Sequence, residues 1–296
     1  MAVNTQGSGP DELGIRTLLS LVRECCPQWA VIFISESDFL EKAGDSVDLS
    51  PHRTWRHWPG QGSRAMRFVI RNDVKHLFNS VAWMGRSGVL IMASRFESNK
   101  QFVNFVGFHG AHGKLISDSF NDLCTLLALG RACSKTLVMG DWHIDILPTL
   151  ANDPFSCTSN RMAHHFERRE LLNSWLSFNR LCSVLPKHVL GAPGGKWART
   201  CESSLISRVP SDDQLGLPSL LDFGAASENF VKNSWLSWLF RFSDHAANIF
   251  VVSFDMSKPF FVKSTWRCKD PEACCIWLRS VIHHALEQYV ACFCCL

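Results

Sequence analysis

Three short strings carry most of the chemistry this chain offers: Ser35-Glu36-Ser37, Gly140-Asp141-Trp142-His143 and Ser243-Asp244-His245. Each stands where an apolar run gives way to polar residues, which is where a strand delivers a side chain to the end of a sheet. Carboxylates from Glu36, Asp141 and Asp244, converging with the His245 imidazole, could hold a hard divalent cation and handle an activated water. Mg²⁺ takes one or two protein carboxylates and fills the rest of its shell with water or phosphate oxygens, so such a site suits phosphate-ester chemistry.

Two further positions fit the same chemistry. Asp222 interrupts the apolar string Leu220-Leu221-Asp222-Phe223. A buried carboxylate left unpaired is costly, and a histidine partner such as His245 answers that cost. His109 closes another apolar run in Phe108-His109-Gly110-Ala111-His112, and a cationic imidazole facing a phosphate would stabilise charge building up in a transition state. His112 is its rival, and two surface histidines in a Gly-rich loop is the alternative reading, weightier for His112 than for His109.

The elements that must position these side chains read as alternating helix and strand. Helical spacing of apolar residues runs from Leu13 to Cys26 and stops at Pro27. Trp29 to Ile34 reads as a buried strand, with Val3-Asn4 the end of an earlier one and Glu36 at the turn that follows. Short runs over Arg67–Ile70, Ser80–Met84 and Gly88–Ala93 predict consecutive antiparallel strands. Phe102–Phe108 and Thr136–Met139 follow as strands around a helix over Ser119–Leu129, and Glu167–Phe178 is a further helix. The stretch Pro193–Pro218, rich in Gly, Ser, Pro and Asp, predicts loop with short strand pieces. Ser219–Phe223 and Ala247–Val252 complete the strand list, and the whole predicts an α/β fold.

Composition sets bounds without deciding function. The 296 residues, 46% hydrophobic, suffice for one large domain with a buried core or for two small ones, and with no linker to divide the chain one main domain with a C-terminal appendage is the simpler reading. Thirty basic against 27 acidic residues give +3, a balance that neither demands nor excludes a polyanionic partner. Met1 to Pro10 lacks a signal-peptide pattern, and no apolar run has the roughly 20 residues of a membrane helix, so the expectation is a soluble intracellular protein with no membrane contact. The thirteen cysteines follow no disulfide framework and read mostly as reduced, buried thiols.

In order and spacing, these strings resemble those of the endonuclease/exonuclease/phosphatase family, which includes pancreatic-type deoxyribonuclease, abasic-site endonucleases, inositol polyphosphate phosphatases and retrotransposon-encoded endonucleases. The resemblance runs from Val3 to Phe254. It implies a four-layer α-β-β-α sandwich, two mainly antiparallel sheets packed face to face with helices outside, over residues 1–255. Residues 256–296 are then a C-terminal helical extension. Glu36 matches the family's metal-ligating glutamate, and Asn4, in Val3-Asn4-Thr5-Gln6-Gly7, its first-strand asparagine. Gln6 stands where the family often has a second acid. Asp244 is implied to lie near the metal, with His245 as general base or phosphate-polarising group and Asp222 as the acid that orients it. His109 matches the strand-end histidine of the deoxyribonuclease branch. Asp141 is the aspartate of the family's Gly-Asp-Phe-Asn string, implied to orient or deprotonate the attacking water or to handle the leaving oxygen. His143 takes the asparagine's position and departs from it, with different geometry and a pH-dependent charge.

The resemblance implies Mg²⁺ (or Mn²⁺) as cofactor and in-line attack of water on a DNA phosphodiester, nearest in appearance to retrotransposon endonucleases. The short N-terminus and a tail that stops mid-element fit part of a larger retroelement polyprotein, nuclear in that case. Two alternatives stand beside this: an inositol-phosphate or phospholipid phosphoesterase, and a decayed domain that only binds nucleic acid.

Two segments are open to either of two readings. Arg53, Arg56, Arg64, Arg67 and Arg71 with Trp55 and Trp58 form either a backbone-contacting surface or ordinary strand alternation. Lys196, Trp197 and Arg199 are a second candidate contact. In the tail, Cys268, Cys274, Cys275, His283, His284, Cys292, Cys294 and Cys295 lack the paired spacing of a zinc knuckle, and a packed apolar helix is the expectation.

Overall fold

Strands covered on both faces read as unbroken apolar runs, and Val31-Ile32-Phe33-Ile34 and Leu137-Val138-Met139 show how one run serves two cores. Phe33, Leu137 and Met139 point into one cluster, while Ile32, Ile34 and Val138 point away from it into others. The computed structural model describes residues 1–5, 12–37, 53–57, 65–74, 77–95, 100–111, 116–129, 135–146, 159–193, 205–210, 218–240 and 243–252. The chain divides into two units, Met1–Lys258 and Pro259–Leu296. The second unit lies outside the described residues, and with it the Cys-rich tail. Outside them too are His112, Arg64, Trp58, Lys196, Trp197 and Arg199.

The elements in chain order are β1 (Ala2–Asn4), α1 (Glu12–Cys25), β2 (Val31–Ser37), β3 (Arg53–His57), β4 (Ala65–Ile70), β5 (Phe78–Met84), β6 (Ser87–Arg95), β7 (Lys100–His109), α2 (Ile116–Leu129), β8 (Lys135–Asp141), α3 (Ser159–Phe178), β9 (Cys182–Val184), β10 (His188–Leu190), β11 (Asp222–Ala226), β12 (Val231–Ser237) and β13 (Ala247–Val252). Among the described residues seven strands form one sheet in the order β10-β12-β13-β1-β2-β4-β3, and six form another, β5-β6-β7-β8-β11-β9. Pairing is antiparallel except at β1/β2, β10/β12 and β7/β8.

Phe33, Met66 and Phe68 of the first sheet meet Val103, Phe105, Leu137 and Met139 of the second in the central core. The sheets come so close at Gly107 that a Cβ there would run into the ring of Phe33. Outside the first sheet, α1 lays Leu18, Leu19 and Val22 on Ile32, Ile34 and Val69. Outside the second, Phe120, Leu123 and Leu126 of α2 and Leu172, Trp175 and Leu176 of α3 cover Val106, Phe108, Val138 and Phe223. This is the four-layer α-β-β-α sandwich. Among the described residues no helix is long and apolar enough to cross a membrane.

The structure departs from sequence expectation at identifiable points. β2 runs on to Ser37 through an irregularity in its pairing between Ile34 and Ser37, so Glu36 sits within the strand end. β11 begins at Asp222, not Ser219, because the N–H groups of Leu220 and Leu221 donate to the side chains of Asp145 and Ser207 instead of a ladder. Arg67 is fully buried on β4 and forms no part of a surface cluster. β3, β9, β10 and β12 were not expected. Of the four cysteines described, Cys25 and Cys182 are exposed and Cys26 and Cys124 half-buried, none of them in a disulfide. Cys182 lies on β9, the edge strand of its sheet among the described residues.

Candidate active site

Strand parity brings the polar residues to one end of the sandwich. On β7, Val103 and Phe105 face the central core, so His109, four positions beyond Phe105, shares their side. On β8, Leu137 and Met139 face inward and Asp141 follows them; on β11, Ala226 faces inward and so does Asp222. Register then aligns the three, with His109 paired to Asp141 and Asp141 to Asp222. Asn4, at the end of β1, approaches from the opposite sheet. Its Nδ2 donates to Asp141 Oδ2 at 3.0 Å, a buried bond that crosses between the sheets and joins residues 137 positions apart.

Asp141 is the centre of the arrangement and is wholly buried. Besides Asn4, the backbone N–H of His143 donates to its Oδ1 at 2.9 Å. His143 Nε2 lies 3.1 Å from its Oδ2, with His245 Nδ1 3.8 Å from the same oxygen. Burial alone would raise this carboxyl. The charge and hydrogen bond of His143, with the charges of His245 and His109, outweigh burial and hold it well below the usual carboxylate range. A carboxylate so fully served by donors orients its neighbours and is a poor proton acceptor.

His245 Nδ1 lies 2.7 Å from Asp222 Oδ2. Burial would lower the imidazole, but the Asp222 carboxylate, then Asp141 and Asp244, push it up to about 9. Burial pushes Asp222 up to about 6, against the pull of His245 and with Asp141 adding to the rise. The loop before β13 is fixed by Ser243, whose Oγ donates to Asn4 O at 2.6 Å and accepts from His245 N at 3.0 Å.

His109 Nε2 lies 3.1 Å from Glu36 Oε1, and Arg86 Nη1 approaches its Nδ1 at 3.3 Å. Burial lowers this imidazole, only partly offset by the Glu36 hydrogen bond. The rings of His109 and His143 meet edge-on at 5.0 Å. Asp244 is held from outside, Arg208 Nε donating to its Oδ2 at 3.2 Å, while its Oδ1 is buried, has no hydrogen-bond partner among the described residues and lies 3.6 Å from His245 Nε2.

The eight residues that the resemblance implied as catalytic or metal-ligating therefore lie in one connected set: Glu36, His109, His143, Asp141, Asn4, His245, Asp222 and Asp244. Glu36 and Asp244 are its most accessible members, with 17% and 13% of their side chains exposed, against 8% or less for His109, Asp141, His143, Asp222 and His245. Glu36 and His143 both adopt left-handed backbone, φ 53° and 51°. That conformation is uncommon for residues with side chains and collects at functional sites.

Sequence reasoning missed the supports. Trp142, fully buried, stacks on Phe223 at 5.0 Å and donates from Nε1 to Phe223 O, pinning the segment between Asp141 and His143. Arg168 Nη1 donates to His143 O, and Ser207 Oγ accepts from Asp222 N. An aromatic inside Gly-Asp-Trp-His was the one signal available for the first; Arg86, Arg168, Ser207 and Arg208 sit in unremarkable strings.

No protein-family model matches the sequence, and no curated protein does. Solved structures with a similar fold include the endonuclease domain of TRAS1, a telomere-specific non-LTR retrotransposon, at TM-score 0.52 and 13% identity over 86% of this chain and 97% of that one. A 3' phosphatase from Neisseria bound to a product DNA hairpin matches at TM-score 0.52 and 13% identity, over 86% and 98%. An endonuclease/exonuclease/phosphatase family protein from Leptotrichia buccalis matches at TM-score 0.50 and 16% identity, over 86% and 98%. The chain has the fold of the endonuclease/exonuclease/phosphatase proteins, as its motifs implied.

Proposed function

We propose that this chain is a divalent-metal-dependent phosphodiesterase and that its substrate is nucleic acid, cleaved internally as by an endonuclease, with DNA the preferred form. The observation that carries the reading is the buried set around Asp141, opening to solvent at two carboxylates, Glu36 and Asp244. The likeness of fold to a retrotransposon endonuclease domain and to a DNA-bound phosphatase supports the choice of nucleic acid.

Glu36, Asp244 and Asn4 would hold the metal. The donor chemistry fits, since Asp244 Oδ1 is a buried carboxylate oxygen without a hydrogen-bond partner among the described residues, the kind of group a hard cation satisfies. A bound divalent ion would polarise a phosphoryl oxygen and help form the nucleophile from water.

The chain's own groups do the rest. His245, kept protonated by Asp222, offers Nε2–H to a phosphate oxygen as negative charge develops. Asp141, held ionised by its donors, orients the surrounding imidazoles and a water in line with the phosphorus. His109 and His143 would face the phosphate. Positioning and electrostatics supply the acceleration, and no covalent nucleophile is required.

The test is nicking of supercoiled plasmid by the purified chain with Mg²⁺ or Mn²⁺ and with EDTA, beside Asp141→Ala and His245→Ala. Metal-dependent nicking lost in both variants supports the reading. A folded chain that releases phosphate from a monoester or an inositol phosphate but leaves plasmid intact moves the substrate to a small phosphate ester. A chain that binds DNA and does neither is a binding domain.

A further inference from the structure

The site carries imidazole chemistry that an oxygen-only Mg²⁺ position does not use. His109, Asp141 and His143 are all buried, and each offers one ligand atom within 4.8 Å of the other two. His143 Nε2 and Asp141 Oδ2 are 3.1 Å apart, close to the separation of adjacent ligands that both stand about 2.0–2.1 Å from one ion. The His109 and His143 rings meet edge-on at 5.0 Å, and Glu36 Oε1 lies 3.1 Å from His109 Nε2 as a neighbouring carboxylate.

The backbone goes out of its way to build this group. His143 takes φ 51°, which turns its ring back over the residue two positions earlier, and the strained turn is secured at both ends. Its N–H donates to Asp141 Oδ1 at 2.9 Å, and Arg168 Nη1 donates to its carbonyl at 2.8 Å.

We propose that His109, Asp141 and His143 form a binding site for a borderline divalent transition-metal ion of the Zn²⁺ and Co²⁺ class, in preference to Mg²⁺. Imidazole nitrogen suits such ions, whereas Mg²⁺ is bound through oxygen. The inference deepens the phosphodiesterase reading by naming an ion class, and it rests on that reading for any part in catalysis.

A second buried group, Asp141, Asp222 and His245, also has ligand atoms within reach of one another. It is the weaker candidate for such an ion, because it offers one imidazole beside two carboxylates where the first group offers two imidazoles and one carboxylate. At the proposed site Arg86 opposes binding. Coordination through His109 Nε2 gives up its contact with Glu36 Oε1 at 3.1 Å and puts the ring proton on Nδ1, facing Arg86 Nη1 at 3.3 Å, so this guanidinium has to turn aside.

The test uses the full chain, stripped of metal and titrated with Co²⁺ alone while its visible d–d absorption is followed, then challenged with a large excess of Mg²⁺. Thirteen cysteines and twelve histidines can bind Co²⁺ elsewhere, so the quantity read is the difference between wild type and His143→Asn. Asparagine tolerates left-handed backbone, which keeps this variant folded. The expected result is a Co²⁺ site that His143→Asn weakens by about 10-fold or more, that Mg²⁺ does not empty, and that Arg86→Met tightens. Equal Co²⁺ affinity in wild type and His143→Asn overturns the proposal, as does displacement by Mg²⁺. Affinity unchanged or weakened in Arg86→Met removes His109 and overturns it as a three-residue site. The readout needs no substrate, so a chain that passes it yet cleaves no phosphoester retires the phosphodiesterase reading and leaves the metal site standing.

Discussion

His245 Nδ1 stands 2.7 Å from Asp222 Oδ2, in a buried pair that ties the loop before β13 to the first residue of β11. The backbone on the Asp222 side is fixed twice over, by Ser207 Oγ accepting from its N–H and by Asn248 Nδ2 donating to its carbonyl. The ring therefore has one orientation, with Nε2 turned toward Asp244. An imidazole held this way can present a proton without searching for the angle, which is the advantage a positioned acid has over a free one.

Asp222→Asn keeps the shape of that pair and removes its charge. Plasmid nicking should fall by about 10²–10⁴-fold, the range an oriented acid or base contributes, while the circular dichroism spectrum stays that of the wild type. Histidine NMR should find the His245 pKa lower than in the wild type. Nicking at the wild-type rate would remove Asp222 from the orienting role.

The same pair sets a direction for stability against pH. His245 is pushed up to about 9, while in the unfolded chain it titrates near its ordinary value of about 6.5. The folded protein keeps a proton that the unfolded chain releases between these values. Its contribution is therefore complete below the unfolded value and is lost as pH rises through about 9. Asp141 runs the other way, its carboxyl held below the ordinary range, so its contribution is present above the unfolded value and lost as pH falls toward the folded one. Urea unfolding should show stability declining from neutrality to above pH 9, and His245→Gln should flatten that decline. A wild-type curve flat across this range would contradict the charged pair.

What was legible in the sequence followed from local pattern. Glu36, Asp141 and His109 close apolar runs, and a strand buried on both faces gives such a run a visible end. The three-dimensional reasons for their convergence were not visible. Asn4 and Asp141 meet across two sheets, and no periodicity within either strand records which strands will face each other. Arg67 looked like a surface cation because arginine almost always is one, yet it is fully buried. β12, reading Val231-Lys-Asn-Ser-Trp-Leu-Ser, has only one face turned to the core over much of its length, so its polar residues hid a strand that its neighbour β13 secures by pairing.

The cross-sheet bond gives a graded test. Asn4→Ala removes the donor to Asp141 Oδ2 in a buried position, and stability should fall by about 1–3 kcal/mol. Asn4→Asp should be worse than Asn4→Ala, because it sets a second carboxylate against one that is already buried. Both comparisons are read from urea midpoints at constant m-value. Equal stability for the two variants would mean that Asn4 and Asp141 do not face each other in solution.

The turn that delivers Asp141 depends on Gly140. Gly140 has φ 146°, a region essentially closed to residues with side chains, and a Cβ there would run into the Phe108 carbonyl of the adjoining parallel strand β7. Two separate penalties coincide: backbone strain of about 1–3 kcal/mol and a clash with a main-chain atom that cannot rotate away. Gly191 is the control. Its φ of 74° is also left-handed, yet an added Cβ would meet Leu239 Cδ2 at an ordinary 3.5 Å, so only strain of about 1–2 kcal/mol is expected. Gly140→Ala should therefore destabilise the chain more than Gly191→Ala. The clash also pushes apart β7 and β8, whose last residues are His109 and Asp141, so Gly140→Ala should lose nicking activity even at temperatures where it remains folded. Gly191→Ala should retain it. Comparable activity in the two variants would show that the register between His109 and Asp141 does not matter to the reaction.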